Sequence, residues 1–242
     1  MKFDNTEVWG FEHALRGMRN PMNSWEKSDS CKKDCSFDMV FCNGVKIYSD
    51  ENKDIKFIIG ENDMKLAKSL VRAGEPHRKF LRQIFVSVDI TAPLYWWKEF
   101  DTYKVGTVSN STSTMHKLAS TPITIDCFEM DDFENIGEIE ELDGYFCIKE
   151  SDNKFIWKQL ILYLEVLRRK YNETKDKRYW KELIRLLPES WLQTRTITMN
   201  YENVLNMVKY RMNHKLTEWS ESFMNWVKTL PYSEEFIFDC DL

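Results

Sequence analysis

The chain has 242 residues, with 34 Lys plus Arg against 39 Asp plus Glu and a formal charge of -5, so it fits one large domain or two small ones. With 43% hydrophobic and 14% aromatic residues it can bury a substantial core, which excludes wholesale disorder and a disulfide-dependent miniature scaffold. Cations and acids are interleaved, which argues against indiscriminate duplex binding; a small anion needs only two or three local cations and stays open.

The apolar runs, Ile84 to Val88 and Leu160 to Leu164 among them, are far shorter than the roughly 20 residues of a membrane-spanning helix. Asp4 and Glu7 fall where a secretory signal needs an apolar stretch, so the expectation is a cytoplasmic protein whose six cysteines stay reduced.

Taken in chain order, residues 1 to about 60 read as irregular, with a breaker at Pro21 and a hairpin whose strands flank Ser49 to Lys53. Next comes ENDMKLAKSLVRAG, an amphipathic helix with Asn62 or Asp63 as N-cap and Gly74 as its stop. Ile84, Val86 and Val88 alternate as a strand, and Pro93 can start the helix PLYWWKEFDTYKVG.

Residues 126 to 154 are acidic and aperiodic and read as a surface excursion. From Phe155, WKQLILYLEVLRRKY and DKRYWKELIRLLP are helices, the second stopped by Pro188. TRTITM is a strand, and NYENVLNMVKYR and LTEWSESFMNWVKTLP are two more helices. Strands interspersed among helices predict a single α+β or mixed α/β domain.

Cys31, Cys35 and Cys42 lack the paired spacing of zinc knuckles, and His13, His77, His116 and His214 stand at no metal-binding interval, so no metal is expected. His77 opens a short helical stretch with Arg78, Lys79 and Arg82, where helix amides and cations can hold an anion; a surface capping histidine is the plainer reading. Trp96 and Trp97 read as core more readily than as a stacking platform. The run SNSTSTMHK lacks the glycines of a phosphate loop, although its hydroxyls and amides can still cradle one. Asn200 can cap the helix that carries Asn206 and Arg211.

Two collinear blocks carry a resemblance. The first runs from His77 through Ala92 and Pro93 and the aromatic helix to Thr102-Tyr103-Lys104, then Thr112-Ser113-Thr114-Met115. The second holds Leu187-Pro188, Thr198 with Asn200, then Asn206 and Tyr210-Arg211. In this order and register, over about a third of the chain, they resemble the flavin-dependent thymidylate synthases. In that family the leading histidine, the turn, R-H-R and S-x-R-Y form the first block, and T-x-N, a further Asn and L-R form the second.

The resemblance implies a mostly antiparallel sheet packed with helices, and a homotetramer with sites at subunit interfaces. It implies FAD and deoxyuridylate as ligands, with NADPH and methylenetetrahydrofolate as co-substrates. His77, Lys104, Asn200 and Asn206 fall to the cofactor, Thr112, Ser113, Arg82 and Arg211 to the substrate, and Arg211 to the chemistry. Here Lys104 is the single cation on R-H-R and Thr114 replaces the S-x-R arginine, so Arg78, Arg82, Arg16 or Arg19 has to supply phosphate charge. The alternative is a non-catalytic nucleotide-binding or interaction protein on the same scaffold.

Overall fold

The computed structural model describes residues 1–34, 45–50, 53–130 and 153–239. In chain order the elements are β1 (Lys2–Trp9), α1 (Phe11–Arg19), β2 (Cys31–Asp34), β3 (Val45–Asp50), β4 (Lys53–Ile58), α2 (Glu61–Arg72), β5 (Phe85–Pro93) and α3 (Leu94–Phe100). There follow β6 (Val108–Ser111), α4 (Thr114–Lys117), α5 (Asn153–Thr174), α6 (Lys177–Arg185), β7 (Leu192–Asn200), α7 (Tyr201–Arg211) and α8 (Met224–Lys228).

One sheet has four strands in the order β1-β5-β7-β6, and a second has three antiparallel strands in the order β2-β4-β3. The four-stranded sheet is antiparallel and packed with helices, the mixed α+β architecture expected from the sequence. Strand β5 shows the period of two: Val86, Val88, Ile90 and Ala92 are buried. On its other face Ser87 meets Thr198 at 3.1 Å and Thr91 meets Thr194 at 2.7 Å, hydroxyl to hydroxyl.

The chain divides into two compact units. One comprises Met1, Thr91–Phe100 and Ser111–Arg195; the other comprises Lys2–Ile90, Asp101–Asn110 and Thr196–Leu242. In the first, the α5 and α6 residues Leu164, Leu167 and Leu183 pack with Leu118, Ile123 and Phe128. Trp96 and Trp97 are core residues there, 0% and 1% exposed, and Trp97 Nε1 donates to the Gln193 carbonyl at 2.9 Å. Glu165 of α5 accepts from Arg168 Nη2 at 2.6 Å and from the Ile123 amide at 3.0 Å. Arg168 holds its carboxyl at about 2, with the Ile123 amide and Arg169 assisting against partial burial.

In the second unit, α1 buries Phe11, Ala14, Leu15 and Met18 at helical spacing, and Phe11 meets Tyr201 edge-on at 5.6 Å. This helix and β1 occupy a stretch that the sequence reading left irregular. The chain reaches α1 through Gly10 at φ +97, where a Cβ would stand 2.1 Å from the Gln83 carbonyl oxygen, so only glycine fits. The hairpin flanking Ser49 to Lys53 is present as β3 and β4, with a register irregularity between Lys46 and Tyr48.

Two helix boundaries differ from expectation. Helix α2 is capped by neither Asn62 nor Asp63: Asp29 accepts from both their amides, at 2.9 and 3.1 Å. Asp63 instead turns inward, fully buried, and accepts from Arg19 Nε at 2.6 Å, Ser28 Oγ at 2.6 Å, the Ser30 amide at 3.1 Å and Ser30 Oγ. Burial raises the Asp63 pKa, but bonds from Ser28, Ser30 and Arg19, with the Arg19 charge, outweigh it and hold the carboxyl below its usual value. Helix α3 stops at Phe100, and residues 101–107 become a loop instead of a further helical turn.

The expected helix over residues 216–231 begins as a π turn, Glu218–Phe223, that runs into α8. Most of the acidic stretch 126–154 lies outside the described residues, as do Cys35, Cys42, Cys147 and Cys240. At its start, Phe128 is buried and pairs with Trp191 as an isolated β-bridge, so this residue is not part of a surface excursion.

Candidate functional site

The second unit gathers residues of both resembling blocks around α7. Strand β7 ends at Asn200, whose side chain accepts from the Asn203 amide at 3.0 Å while the Asn203 side chain accepts from the Asn200 amide at 3.2 Å. This reciprocal capping satisfies the first turn of α7. Asn203 Nδ2 also donates to the Val105 carbonyl at 2.6 Å, and Gly106, at φ +77, lies so close that a Cβ would stand 3.0 Å from both asparagines. The loop after α3 is thereby laid across the start of α7. Asn200 is occupied as a cap, and the helix N-terminus is covered by chain.

At the other end of α7, Arg211 Nε donates to the Tyr103 hydroxyl at 3.0 Å, and its guanidinium lies 5.2 Å from the centre of the Trp219 ring. Tyr103 is the neighbour of Lys104, whose side chain is exposed. Residues 103 and 211, far apart in sequence, therefore meet. One turn apart on α7, Glu202 and Asn206 face Arg78: its Nε reaches the two Glu202 oxygens at 2.9 and 3.1 Å, and its Nη2 reaches Asn206 Oδ1 at 3.4 Å. The Arg78 and Glu202 side chains are only 12% and 7% exposed, so each guanidinium bond here is made away from bulk water.

The remaining expected residues lie elsewhere. His77 is exposed on the turn before a five-residue 3-10 helix, Lys79–Gln83, and its amide donates to the Gly74 carbonyl at 3.0 Å. That short helix has few free amides to offer an anion, and the exposed position of His77 accords with the plainer reading of a surface histidine. Of the cations considered for a phosphate, Arg82 pairs with Glu75 at the surface at 2.7 Å, Arg19 with Asp63, and Arg78 with Glu202.

Thr112 and Ser113 belong to the first unit. The Thr112 amide donates to the Thr194 carbonyl at 2.9 Å, and Ser113 caps α4 by accepting from the His116 amide at 3.2 Å. Gln193 Nε2 donates to the Thr112 carbonyl at 2.9 Å and to Thr114 Oγ1 at 3.4 Å. Arg195 donates to Gln193 Oε1 at 2.9 Å and lies 4.2 Å over Trp97. Gln193 and Arg195 escaped the sequence reading; their alternation on one face of β7 was the available signal. The described residues contain no group of three or more His, Cys, Asp or Glu arranged for a metal ion.

No family model matches the sequence, and none of the curated proteins does. Solved structures do match over nearly the whole chain. The flavin-dependent thymidylate synthase ThyX from Helicobacter pylori, complexed with FAD and dUMP, superposes with TM-score 0.62 at 16% identity, covering 99% of this chain and 99% of that one. A UMP/dUMP methylase, PolB from Streptomyces cacaoi, bound with 5-Br dUMP, superposes with TM-score 0.58 at 13% identity, covering 99% of this chain and 96% of that one. The chain has a ThyX-like fold.

Proposed function

We propose that the chain is a pyrimidine-nucleotide-binding protein, acting as a single domain in a homotetramer of the kind the resemblance implies. The observation that carries this reading is the bonding of one resembling block to the other, Tyr103 to Arg211 and Arg78 to Glu202 and Asn206. Helix α7 thus offers a planar guanidinium and an amide, the donor and acceptor types that a pyrimidine edge requires. In this reading Arg211 and Asn206 face the base and Lys104 a phosphate. Arg82 exchanges Glu75 for the phosphate, a small cost because exposed ion pairs contribute about 0–1 kcal/mol.

The donor set fits one phosphate and does not fit FAD in addition. A diphosphate needs charge-assisted donors, yet Arg78 is committed to a buried carboxylate and Asn200 to the α7 cap. Lys104 alone remains as an exposed cation at the R-H-R position, and a lysine does not form a bidentate fork. This favours the non-catalytic reading.

The second reading is a flavin-dependent enzyme transferring a one-carbon unit to deoxyuridylate or a related nucleotide, with NADPH and methylenetetrahydrofolate as co-substrates. It is favoured by Arg211 standing beside the Tyr103-Lys104 loop, and it needs further cations from a partner subunit. A visible spectrum with mass analysis of small molecules released on denaturation separates the two. The first predicts stabilisation by dUMP from a colourless protein, and the second a yellow protein that releases FAD. A colourless protein with no response to dUMP contradicts both.

A further inference from the structure

We infer that the cavity between α1 and residues 24–32 is a binding site for a small planar anion, an aromatic ring carrying a phosphate or a carboxylate. The cavity holds about 430 Å³, within the range of pockets that take a small molecule. Leu15 and Phe57, both buried, supply an apolar base, and Arg16, Arg19, Trp25 and Lys32 surround it.

Arg19 is the central observation. Its side chain is 5% exposed, a depth at which guanidinium donors ordinarily all find partners. Nε is taken by Asp63, and Nη1 reaches the Ser24 carbonyl at 3.3 Å. Nη2 makes no hydrogen bond to the described residues and is not sealed from solvent, and the residue lines the cavity. The pair with Asp63 fixes the guanidinium in place at the wall of this open cavity, and an anion entering it supplies Nη2 with a charged acceptor.

Three further features fit the same ligand. Arg16 lies one turn before Arg19 on α1, hence on the same face. Its guanidinium lies over the Trp25 ring at 5.7 Å, which holds the charge beside the cavity. The Trp25 ring is itself oriented by donation from Nε1 to Asn20 Oδ1 at 2.9 Å and presents a partly exposed face to a second ring. The lining carries Arg16, Arg19 and Lys32 against Glu12, which pairs with Lys32 at 2.8 Å, and against Asp63 behind Arg19. Three cations face two carboxylates, so the cavity favours negative charge in a protein whose overall charge is -5. The loop is built for this shape: Ser28 and Ser30 bind Asp63, and Asp29 caps α2, so residues 28–30 are pinned.

This site stands apart from the α7 cluster and does not depend on the nucleotide reading. Isothermal titration of the full chain with phenyl phosphate, benzoate and inorganic phosphate tests it. Phenyl phosphate should bind roughly fivefold to tenfold more tightly than inorganic phosphate, the increment of one ring stacked on Trp25. The ranking of phenyl phosphate against benzoate identifies the preferred anion. Arg16→Gln should weaken phenyl phosphate about tenfold, and Trp25→Leu should erase its advantage over inorganic phosphate. Arg16 and Trp25 are exposed, so circular dichroism of both variants should match the parent. Absence of saturable binding by any of the three probes overturns the proposal, and so does unchanged affinity in either variant. Binding here that persists when dUMP fails to bind would leave this site intact and remove only the nucleotide reading.

Discussion

Two buried ion pairs of the same unit, Arg19–Asp63 and Arg78–Glu202, are alike in burial and differ in what surrounds them. Asp63 accepts from a guanidinium, two hydroxyls and an amide, drawn from α1 and from the 28–30 loop. Glu202 relies on the Nε of one guanidinium, whose Nη2 continues to Asn206. The first carboxylate is over-determined and holds the 28–30 loop to α2. Among the described residues the second is held by Arg78 alone, whose guanidinium is shared with Asn206. Burial alone does not tell how firmly an ion is held; the number of independent donors does.

The largest effect expected from breaking this contrast is at Asp63. Asp63→Ala leaves Arg19 buried without its carboxylate and frees both serines, and should cost about 3–5 kcal/mol in urea unfolding. Asp63→Asn should recover only part, because the amide cannot replace the charge. Arg78→Gln should cost less, about 2–3 kcal/mol, because Glu202 loses one charged partner rather than a network. That variant should also weaken dUMP binding. An equal cost at both sites would remove the distinction.

The acid side of the stability curve provides a third test, in the other unit. Glu165 has its carboxyl lowered to about 2 by Arg168 first, so its folded value lies below the ordinary glutamate value of roughly 4.3. Its contribution is therefore complete above the unfolded value and is lost as pH falls from about 5 towards 2. Melting temperature should drop over that window in the parent. Glu165→Gln should be less stable at neutral pH and show a shallower drop; an unchanged slope contradicts this assignment. The smallest effect belongs to Lys104→Ala, which should shift stability by less than about 0.5 kcal/mol while weakening dUMP in a salt-dependent way.

Much of the fold was legible from periodicity. The apolar positions of α2, α5, α6 and β5 repeat at helical or strand spacing, and core packing then follows. Helix α1 is not legible locally because the breaker Pro21 lies just past it and outweighs the Phe11, Ala14, Leu15 and Met18 face. Strand β6 carries only exposed residues, so no apolar alternation announces it. The cap of α2 was assigned locally to Asn62 or Asp63, whereas the residue that acts, Asp29, is more than thirty positions away. The candidate site shows the same divide. The Asn200 cap is a three-residue pattern, but the partners of Arg78 and Arg211 come from distant chain, and nothing local in HRKF or YRMN points to Glu202 or Tyr103.

The central claim is that Arg211, held by Tyr103, forms part of a pyrimidine-nucleotide site. Calorimetric titration of the parent and of Arg211→Gln with dUMP tests it most directly. The account predicts saturable binding to the parent that falls at least about tenfold in the variant, with both proteins folded by circular dichroism. No binding to the parent, or equal affinity in the two proteins, would contradict it.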